Sequence, residues 1–203
     1  GVQTCALPIL NNINVNNLVL NIEIFPLELL KEVTTKCKEK KINILDVNQV
    51  KKIDIDNSKI SFLNSFIPLS DDKNEHSIVT LIQYNDINIL LMGDATVNNE
   101  DILMKRYNLP KIDILKVGHH GSRTSSSKLF IKDIEPKISL ISSGKNNKYH
   151  LPNLDVIQRL KYYGSKVFDT QDNGELTINL DEEVYIVYRD ILNQKSLARE
   201  SIS

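Results

Sequence analysis

The sequence predicts an α/β protein, built either as one half of a four-layer αβ/βα sandwich or around a mixed α/β sheet. Strand-like and helical segments alternate along most of its 203 residues, and antiparallel hairpins flank that alternation. One hairpin is indicated by Asn85-Asp86, a turn dipeptide between two β-rich runs. The second of these runs, Ile87–Met92, is apolar on both faces, which is typical of a strand buried between layers.

The first part of the chain predicts one helix among short strands. Pro26 suits the first turn of a helix, where its missing N–H is not needed. Leu29, Val33 and Cys37 then recur on one face of a helix that ends near Lys40. We therefore expect Cys37 to be a small buried or boundary residue rather than a catalytic one. The strands predicted in this part are 17–24, 42–47, 50–55 and 59–66.

The second part of the chain predicts a regular alternation of strands and helices. Asparagines near residue 98 can cap the first helix, and Gly164 stops the last one. The expected helices are 98–107, 128–134 and 154–163. The expected strands are 78–84, 87–92, 112–117, 138–142, 166–169, 175–180 and 184–188.

The composition of the chain excludes some classes of protein. Hydrophobic residues make up 41% and charged residues 25%, which favours a folded domain with a core over a disordered chain. The 25 basic and 26 acidic residues nearly cancel, so bulk charge offers no case for a protein that coats nucleic acid. Cys5 and Cys37 are the only cysteines, which excludes a disulfide scaffold and a thiolate zinc site. No apolar run approaches the roughly 18–20 residues that cross a bilayer.

We expect three segments along the chain. Residues 1–9 do not resemble the Asn- and Ile-rich sequence that follows. They are similar to the translated read-through of a sequencing adaptor, so we interpret them as foreign. On that interpretation, coding sequence upstream of Leu10 is missing. Residues 10–190 are the expected domain, and residues 191–203 are expected to form a polar C-terminal tail.

Three turns that follow predicted strands carry polar groups suited to a metal or an anion: Gly93-Asp94, Gly118–Ser122 and Ser143–His150. Loops at the carboxyl ends of strands commonly hold ligands in layered α/β folds. Taken alone, the aspartate is more simply a cap for the next helix, and the paired histidines are a surface feature. Together, one carboxylate and two imidazoles beside glycines offer oxygen and nitrogen donors with little bulk around them.

Residues from Glu75 to about Ile178 resemble the second half of the metallo-β-lactamase-like domain of ComEC-type DNA-uptake (competence) proteins. The matching stretches are HSIVTLIQYNDINILLMGDA, IDILKVGHHGSRTSSS and PKISLISSGKNNKYHLPNLDVIQRL, followed by DTQDNGELTI. The resemblance implies the second half of an αβ/βα sandwich, with part of the first half, and a metal site along the sheet edge. Most ligands in that fold come from an H-x-H-x-D-H loop or its Asp variant. This chain has no such loop, since its four histidines are His76, His119, His120 and His150.

The resemblance assigns metal-binding and catalytic roles to two residues. Asp94 matches the carboxylate that bridges two metal ions, since one carboxylate can hold two cations about 3.5–4 Å apart. His119 matches the last histidine ligand, whose other ring nitrogen needs an acceptor to hold it. Zn and Mn both suit these mixed donors, and the intact domain is expected to hold two ions.

The loop after the paired histidines is expected to contact the substrate. Ser122, Arg123 and Thr124, with Ser125–Ser127, form a donor-rich loop suited to phosphate oxygens. The alternative is a solvated serine-rich turn that caps a helix. His120 is expected either to complete the metal shell or to contact the substrate, and the sequence does not decide between these roles.

The third matching stretch contributes Asn147, Tyr149 and His150 as expected substrate contacts. Many relatives carry Gly-His-Pro where this chain has His150-Leu151-Pro152, so the imidazole is displaced by one position. His76 lies in a polar loop and is expected to be merely exposed.

A two-metal site fits phosphodiester hydrolysis, because the cations activate a bound water and stabilise charge on the phosphoryl oxygens. The resemblance implies a phosphodiesterase or nuclease role in DNA uptake, with single-stranded DNA or another phosphoester as substrate. The implied parent is a bacterial membrane protein with its channel in the same chain, and this segment would be a soluble extracytoplasmic domain. The 203 residues alone are expected to show little or no hydrolysis, because so few ligands do not hold two metals.

Two alternatives stay open at this point. The segment could be a non-catalytic module that binds phosphate or nucleic acid, or part of a stand-alone secreted hydrolase with the same fold. The sequence upstream of Leu10 discriminates between them. A histidine-rich ligand loop there favours an enzyme, membrane spans favour the uptake protein, and a signal peptide directly before the domain favours the secreted hydrolase.

Overall fold

The computed structural model describes residues 6–63, 70–180, 185–190 and 195–201. Within these ranges the chain forms six helices and twelve strands, with short 3-10 turns between some of them. The helices are α1 (Ala6–Asn12), α2 (Leu27–Lys40), α3 (Val97–Arg106), α4 (Lys128–Ile134), α5 (Leu154–Tyr162) and α6 (Thr170–Asn173). The strands are β1 (Asn17–Leu20), β2 (Asn43–Asp46), β3 (Lys52–Ile55), β4 (Ser58–Leu63), β5 (Val79–Tyr84), β6 (Ile87–Leu91), β7 (Ile114–Lys116), β8 (Ile138–Ile141), β9 (Lys166–Asp169), β10 (Leu176–Asn179), β11 (Tyr185–Asp190) and β12 (Lys195–Ser201).

Seven of these strands form one mixed sheet in the order β3-β4-β5-β6-β7-β8-β9. Neighbours from β3 to β6 are antiparallel, and neighbours from β6 to β9 are parallel. One helix lies in each parallel connection, with α3, α4 and α5 following β6, β7 and β8. The predicted α/β class is confirmed, and the large mixed sheet with its helices is compatible with an αβ/βα sandwich.

The hairpin predicted at Asn85-Asp86 is confirmed, since β5 and β6 pair antiparallel with Tyr84 opposite Ile87. Asn85 has a φ of 48°, a left-handed conformation that asparagine tolerates better than most residues. Each helix and strand predicted beyond this hairpin appears at or within a few residues of its expected bounds. The strand predicted over 59–66 is β4, which is described as far as Leu63; residues 64–66 lie outside the described residues.

Two smaller sheets are formed by the strands that come before and after those of the large sheet in the sequence. Strands β1 and β2 pair in parallel, and β10, β11 and β12 form an antiparallel meander. Strand β12 occupies Lys195–Ser201, where the sequence analysis expects a polar tail. A polar sequence can still form a strand, because pairing with β11 satisfies backbone N–H and C=O groups whatever the side chains.

Helix α1 crosses the boundary expected between foreign sequence and domain at residues 9 and 10. It runs from Ala6 to Asn12, and Leu10 is 1% exposed in a cluster with Leu20, Val33 and Cys37. The predicted burial of Cys37 is confirmed, and burial raises the pKa of its thiol, which keeps the sulfur protonated and unreactive.

The main core lies between the large sheet and helices α3, α4 and α5. Leu103, Ile131 and Leu160, one from each helix, are fully buried against apolar side chains of β5 to β8. Since this burial holds each helix on the sheet, the core also fixes the loops that join the helices to the ends of the strands.

Among the helices that the described residues form, none has the length and apolar character needed to pass through a bilayer. The longest is α2, with 14 residues.

Truncation of Leu103 tests this account of the core. Leu103→Ala is expected to lower the free energy of unfolding by about 2–5 kcal/mol, because it removes buried methyl groups and leaves a cavity. Leu129→Ala is the matched control, since Leu129 is 67% exposed on α4 and its loss is expected to cost less than about 0.5 kcal/mol. Urea unfolding measures both, and equal effects would contradict the assigned core.

Candidate metal and phosphate site at the sheet edge

The candidate site lies where the four parallel strands end. Strands β6, β7, β8 and β9 end at Leu91, Lys116, Ile141 and Asp169, and their parallel pairing puts these ends on one edge of the sheet. The loops that follow contain the residues that the sequence analysis singled out. The sheet therefore brings together turns that lie far apart in the sequence.

Asp94 and His120 contact each other across two of these loops. The His120 Nε2 atom lies 3.3 Å from Asp94 Oδ1. The other ring nitrogen, Nδ1, lies 2.6 Å from the backbone oxygen of Ser142 in the loop after β8. A carbonyl oxygen only accepts hydrogen bonds, so Nδ1 carries the hydrogen and Nε2 is the nitrogen presented to the carboxylate.

His119 lies beside Asp94 in the fold, but its ring contacts a different neighbour. The His119 backbone N–H donates to the carbonyl oxygen of Gly93 at 3.0 Å, which joins the two loops. The His119 Nδ1 atom lies 3.0 Å from Thr124 Oγ1 in the serine-rich loop. Of the two adjacent histidines, His120 is thus the one whose ring contacts Asp94.

The two histidines share an unusual backbone conformation. His119 has a φ of 45° and His120 a φ of 53°, both in the left-handed region that residues with a Cβ seldom adopt. Each such residue costs about 1–3 kcal/mol and persists only where its surroundings enforce it. The sequence predicted a turn here but not its left-handed backbone, although the glycines on both sides of the pair were a signal of tight backbone packing.

Those two glycines explain how the turn fits between its neighbours. A Cβ on Gly118 would lie 2.8 Å from the Ala95 carbonyl oxygen, and a Cβ on Gly121 would lie 2.7 Å from Pro152 Cβ. Gly121 also has a φ of 76°. The histidine turn therefore packs tightly between the loop after β6 and the loop after β8, and only glycine fits at positions 118 and 121.

The segment before β5 supports Asp94. Ser77 Oγ accepts a hydrogen bond from the Asp94 N–H at 3.0 Å. Glu75 is 6% exposed and accepts from Asn98 and Thr96 at the start of α3. Hydrogen bonds from Ser70 and then Asn98 lower the pKa of Glu75, so it stays ionised despite burial. The sequence analysis did not identify this support.

His76 departs from its expected exposure. It is half-buried, and its Nε2 atom is shielded from solvent and has no hydrogen-bond partner among the residues that the structure describes. The preceding residue, Glu75, accepts hydrogen bonds from Asn98 and Asn99 of α3, and these bonds hold the turn against that helix.

Lys116 places a positive charge near the same edge. It is the last residue of β7, half-buried, and its Nζ donates to the Val117 carbonyl oxygen at 3.0 Å. Burial lowers the pKa of Lys116, and the Asp94 carboxylate acts on it in the opposite direction. The sequence analysis did not single out Lys116.

The serine-rich loop divides into a structural half and an exposed half. Ser125 and Ser126 are buried, and Ser125 Oγ donates to the Gly118 carbonyl oxygen at 2.8 Å. Ser127 caps α4 by accepting from the Phe130 N–H. The predicted helix cap is thus found at Ser127, whereas Ser125 and Ser126 are buried rather than solvated.

The exposed half consists of the three residues predicted to contact phosphate. Arg123 and Thr124 are exposed and Ser122 is half-buried. Arg123 Nε lies 3.3 Å from Asp155 Oδ2 at the start of α5, in a pair whose side chains are 74% and 60% exposed. Such an exposed pair contributes little to stability, so Arg123 can exchange its partner for another anion at small cost.

Among the residues predicted from the third matching stretch, Asn147 stabilises its own loop. The Asn147 side chain donates to the carbonyl oxygens of Gly144 and Leu151 and accepts from the Leu151 N–H. Tyr149 and His150 are exposed, and Lys148 Nζ lies 4.8 Å from the centre of the Tyr149 ring. The substrate role of these residues stays a prediction.

Asp94 and His120 are the residues in contact here that could hold a metal ion. A carboxylate oxygen and an imidazole nitrogen are both donors that a divalent metal accepts, and a separation of 3.3 Å also fits an ordinary ion pair. The Ser142 carbonyl on Nδ1 is the kind of acceptor that orients a ligating histidine. Within the described ranges, no group of three or more His, Cys, Asp or Glu side chains is placed to hold a metal. The described residues therefore offer a partial donor set.

Comparison with known proteins finds relatives in bacterial competence. No protein-family model matches the chain. The chain is 39% identical over 110 residues to Recombination protein 2 of Haemophilus influenzae, covering 54% of this chain and 14% of that protein. It is 32% identical over 146 residues to ComE operon protein 3 of Bacillus subtilis, covering 72% and 19%. It is 34% identical over 111 residues to Competence protein ComA of Neisseria gonorrhoeae, covering 54% and 16%.

The chain thus spans less than a fifth of the length of each of these relatives. The homologues support the ComEC-type competence family named in the resemblance.

Glu100 gives a pH-dependent test of how the serine-rich loop is held. It is 1% exposed and accepts from the backbone N–H groups of Ser126 and Ser127. Burial raises its pKa above the ordinary 4.5, so above pH 4.5 the folded state binds more protons than the unfolded one. As pH rises above 4.5, we therefore expect the free energy of unfolding of the wild type to fall relative to that of Glu100→Gln. The expected fall is at most about 1.4 kcal/mol per pH unit.

Urea unfolding of both proteins from pH 4.5 upwards measures this difference. Glu175→Gln, at an exposed position, controls for the loss of one carboxylate. A difference that stays flat or rises with pH would show that Glu100 is not held as a desolvated carboxylate.

Proposed function

We propose that this chain is part of a metal-dependent hydrolase domain of a competence protein, with a phosphodiesterase or nuclease role on DNA during uptake. Zn or Mn is the proposed metal, and single-stranded DNA is the favoured phosphoester. The proposed setting is the extracytoplasmic side of a membrane protein whose channel lies elsewhere in the same chain. The names of these relatives, which refer to competence and recombination, support the biological part of this proposal.

The observation that carries the chemical part is the contact between Asp94 and His120. A carboxylate oxygen and an imidazole nitrogen face each other at 3.3 Å, and the imidazole is oriented by a backbone carbonyl from a third loop. In its neutral form with hydrogen on Nδ1, His120 has a lone pair at Nε2, and a cation between that lone pair and the carboxylate would stabilise the arrangement. The local geometry therefore favours a cation-binding edge.

Asp94 and His120 would hold the metal, with His119 as the third candidate ligand from the resemblance. A divalent metal bound there would supply a nucleophilic water at neutral pH and stabilise charge on phosphoryl oxygens. The chain's own groups would position the substrate. Ser122, Arg123 and Thr124 would bind phosphate oxygens beside the metal ligands.

Further ligands would come from parts of the longer parent protein. A tetrahedral site takes four donors, and the described residues bring two into contact. We therefore propose weak metal binding and little or no hydrolysis for the 203-residue chain by itself.

Titration of the chain with Co²⁺, followed by visible absorbance, tests the metal site. We expect weak binding that Asp94→Asn and His120→Gln each weaken by at least about tenfold, because each removes a ligand. Asp133→Asn, an exposed carboxylate on α4, is the matched control and should leave the affinity unchanged.

In the longer protein that carries this segment, Asp94→Asn is expected to abolish hydrolysis of single-stranded DNA. Wild-type metal affinity in both ligand variants, together with unchanged hydrolysis, would overturn the proposed enzyme. If His119→Gln weakens Co²⁺ binding while His120→Gln does not, the ligand assignment from the resemblance is correct and the one from the observed contact is wrong.

A non-catalytic phosphate-binding module is the second candidate. It is favoured by the partial donor set, since no cluster of three ligating side chains occurs in the part of the chain that the structure describes. In that case the edge would still hold DNA phosphates through its exposed donors, and metal would have no effect on function.

Arg123 tests the phosphate contact that both candidates share. Arg123→Ala is expected to weaken binding of a single-stranded oligonucleotide and to reduce the slope of log affinity against log salt by about 0.7, the value for one phosphate contact. Asp155→Asn is expected to strengthen binding, because it removes the carboxylate that competes for Arg123. Lys59→Ala, at an exposed position on β4, is the control. Equal affinities and slopes in wild type and Arg123→Ala would remove the loop from the binding site.

A further inference from the structure

Thr170 contacts the loop after β8 in a way that bears on His120. Its hydroxyl accepts a hydrogen bond from the Ser143 backbone N–H at 2.9 Å and donates to the Ser143 carbonyl oxygen at 2.8 Å. The Ser143 hydroxyl donates to Asp169 Oδ1 at 2.6 Å. The last residue of β9 and the first residue of α6 thus hold Ser143 at three points.

The hydrogen bond from the Ser143 N–H to Thr170 affects His120 through one rigid peptide group. The Ser143 N–H belongs to the same peptide group as the Ser142 carbonyl, and that group is planar, with its N–H and C=O pointing in opposite directions. Because Thr170 binds the N–H end, the C=O end is turned towards the other side, where the His120 Nδ1 atom lies at 2.6 Å. The orientation of this peptide determines the acceptor that His120 meets.

The contact between Ser143 and Asp169 is also well shielded. Asp169 is 5% exposed and accepts from the Gln171 N–H as well as from Ser143. Burial raises the pKa of its carboxyl, and the hydrogen bond from Ser143 opposes that shift. A contact that is removed from solvent holds its geometry better than an exposed one.

We propose that Thr170 is a positioning residue for His120: through the Ser142–Ser143 peptide it fixes the His120 ring with hydrogen on Nδ1 and with Nε2 directed at Asp94. Asp169 assists by anchoring the Ser143 side chain. The consequence for metal binding rests on the proposed function, whereas the effect on the ring is independent of it. Loss of a group that hydrogen-bonds to a metal ligand typically weakens metal binding by about 10–100-fold, and Thr170 would act through such a group, the Ser142 carbonyl.

Isosteric replacement of Thr170 tests the proposal by nitrogen NMR. The chain has four histidines, so ¹⁵N-histidine labelling at about pH 8 gives few signals, and His120→Gln assigns those of His120. We expect an Nδ1–H ring in the wild type, retention of it in Thr170→Ser, and a mixture of tautomers in Thr170→Val. Thr177→Val, at an exposed position on β10, applies the same chemical change as a control and should leave the spectrum unaltered.

Co²⁺ titration of the same proteins gives the second measurement. Thr170→Val is expected to bind Co²⁺ at least about tenfold more weakly than the wild type, and Thr170→Ser to restore the affinity. If Thr170→Val does not fold, Ser143→Ala replaces it, with a smaller shift in the same direction because the backbone bonds to Thr170 survive.

The outcomes separate this proposal from the proposed function. A wild-type His120 spectrum in Thr170→Val overturns the positioning role, whatever the metal does. A tautomer change in Thr170→Val, with no Co²⁺ binding even by the wild type, supports the positioning role and overturns the metal site. A weaker affinity without any change at His120 would show that Thr170 acts on stability alone, and would also overturn the proposal.

Discussion

The candidate site depends on the parallel alignment of β6, β7, β8 and β9. Parallel pairing places four strand ends on one edge, at Leu91, Lys116, Ile141 and Asp169, so that loops more than 20 residues apart in the sequence become neighbours. Helices α3, α4 and α5 hold this alignment because their buried side chains pack on the sheet. The contacts between Asp94, His120 and Ser142 follow from that arrangement, since each residue comes from a different loop.

Within that frame, the histidine turn is stabilised from outside rather than by its own preference. Two consecutive residues with a Cβ adopt left-handed φ values, which a free peptide would seldom do. The opposing contacts are the hydrogen bond from His119 N–H to Gly93 and the hydrogen bond from Ser125 Oγ to Gly118. The strained backbone of this turn lowers the stability of the fold. In return, the surrounding hydrogen bonds fix the direction of the two histidine rings.

Sequence patterns were sufficient for the framework and insufficient for the directions of side chains. The position of β6 and the buried face of α2 depend on local periodicity, and both were predictable, although β6 is not buried on both faces as expected, since Leu90 is the one buried residue of the strand. The strand β12 was not, because its pairing with β11 involves backbone groups that polar side chains do not reveal. Glu75 and Thr170 were missed for a related reason: their partners lie 23 and 27 residues away, and no short motif marks such contacts.

The same limit explains why the adjacent histidines had to be distinguished by structure. Neighbouring residues in a tight turn direct their side chains to different surroundings, so a His-His pair does not present two nitrogens to one point. Here one ring contacts Asp94 and the other contacts Thr124, which also interacts with Ser122 Oγ. One dipeptide therefore joins the carboxylate loop to the exposed hydroxyl loop.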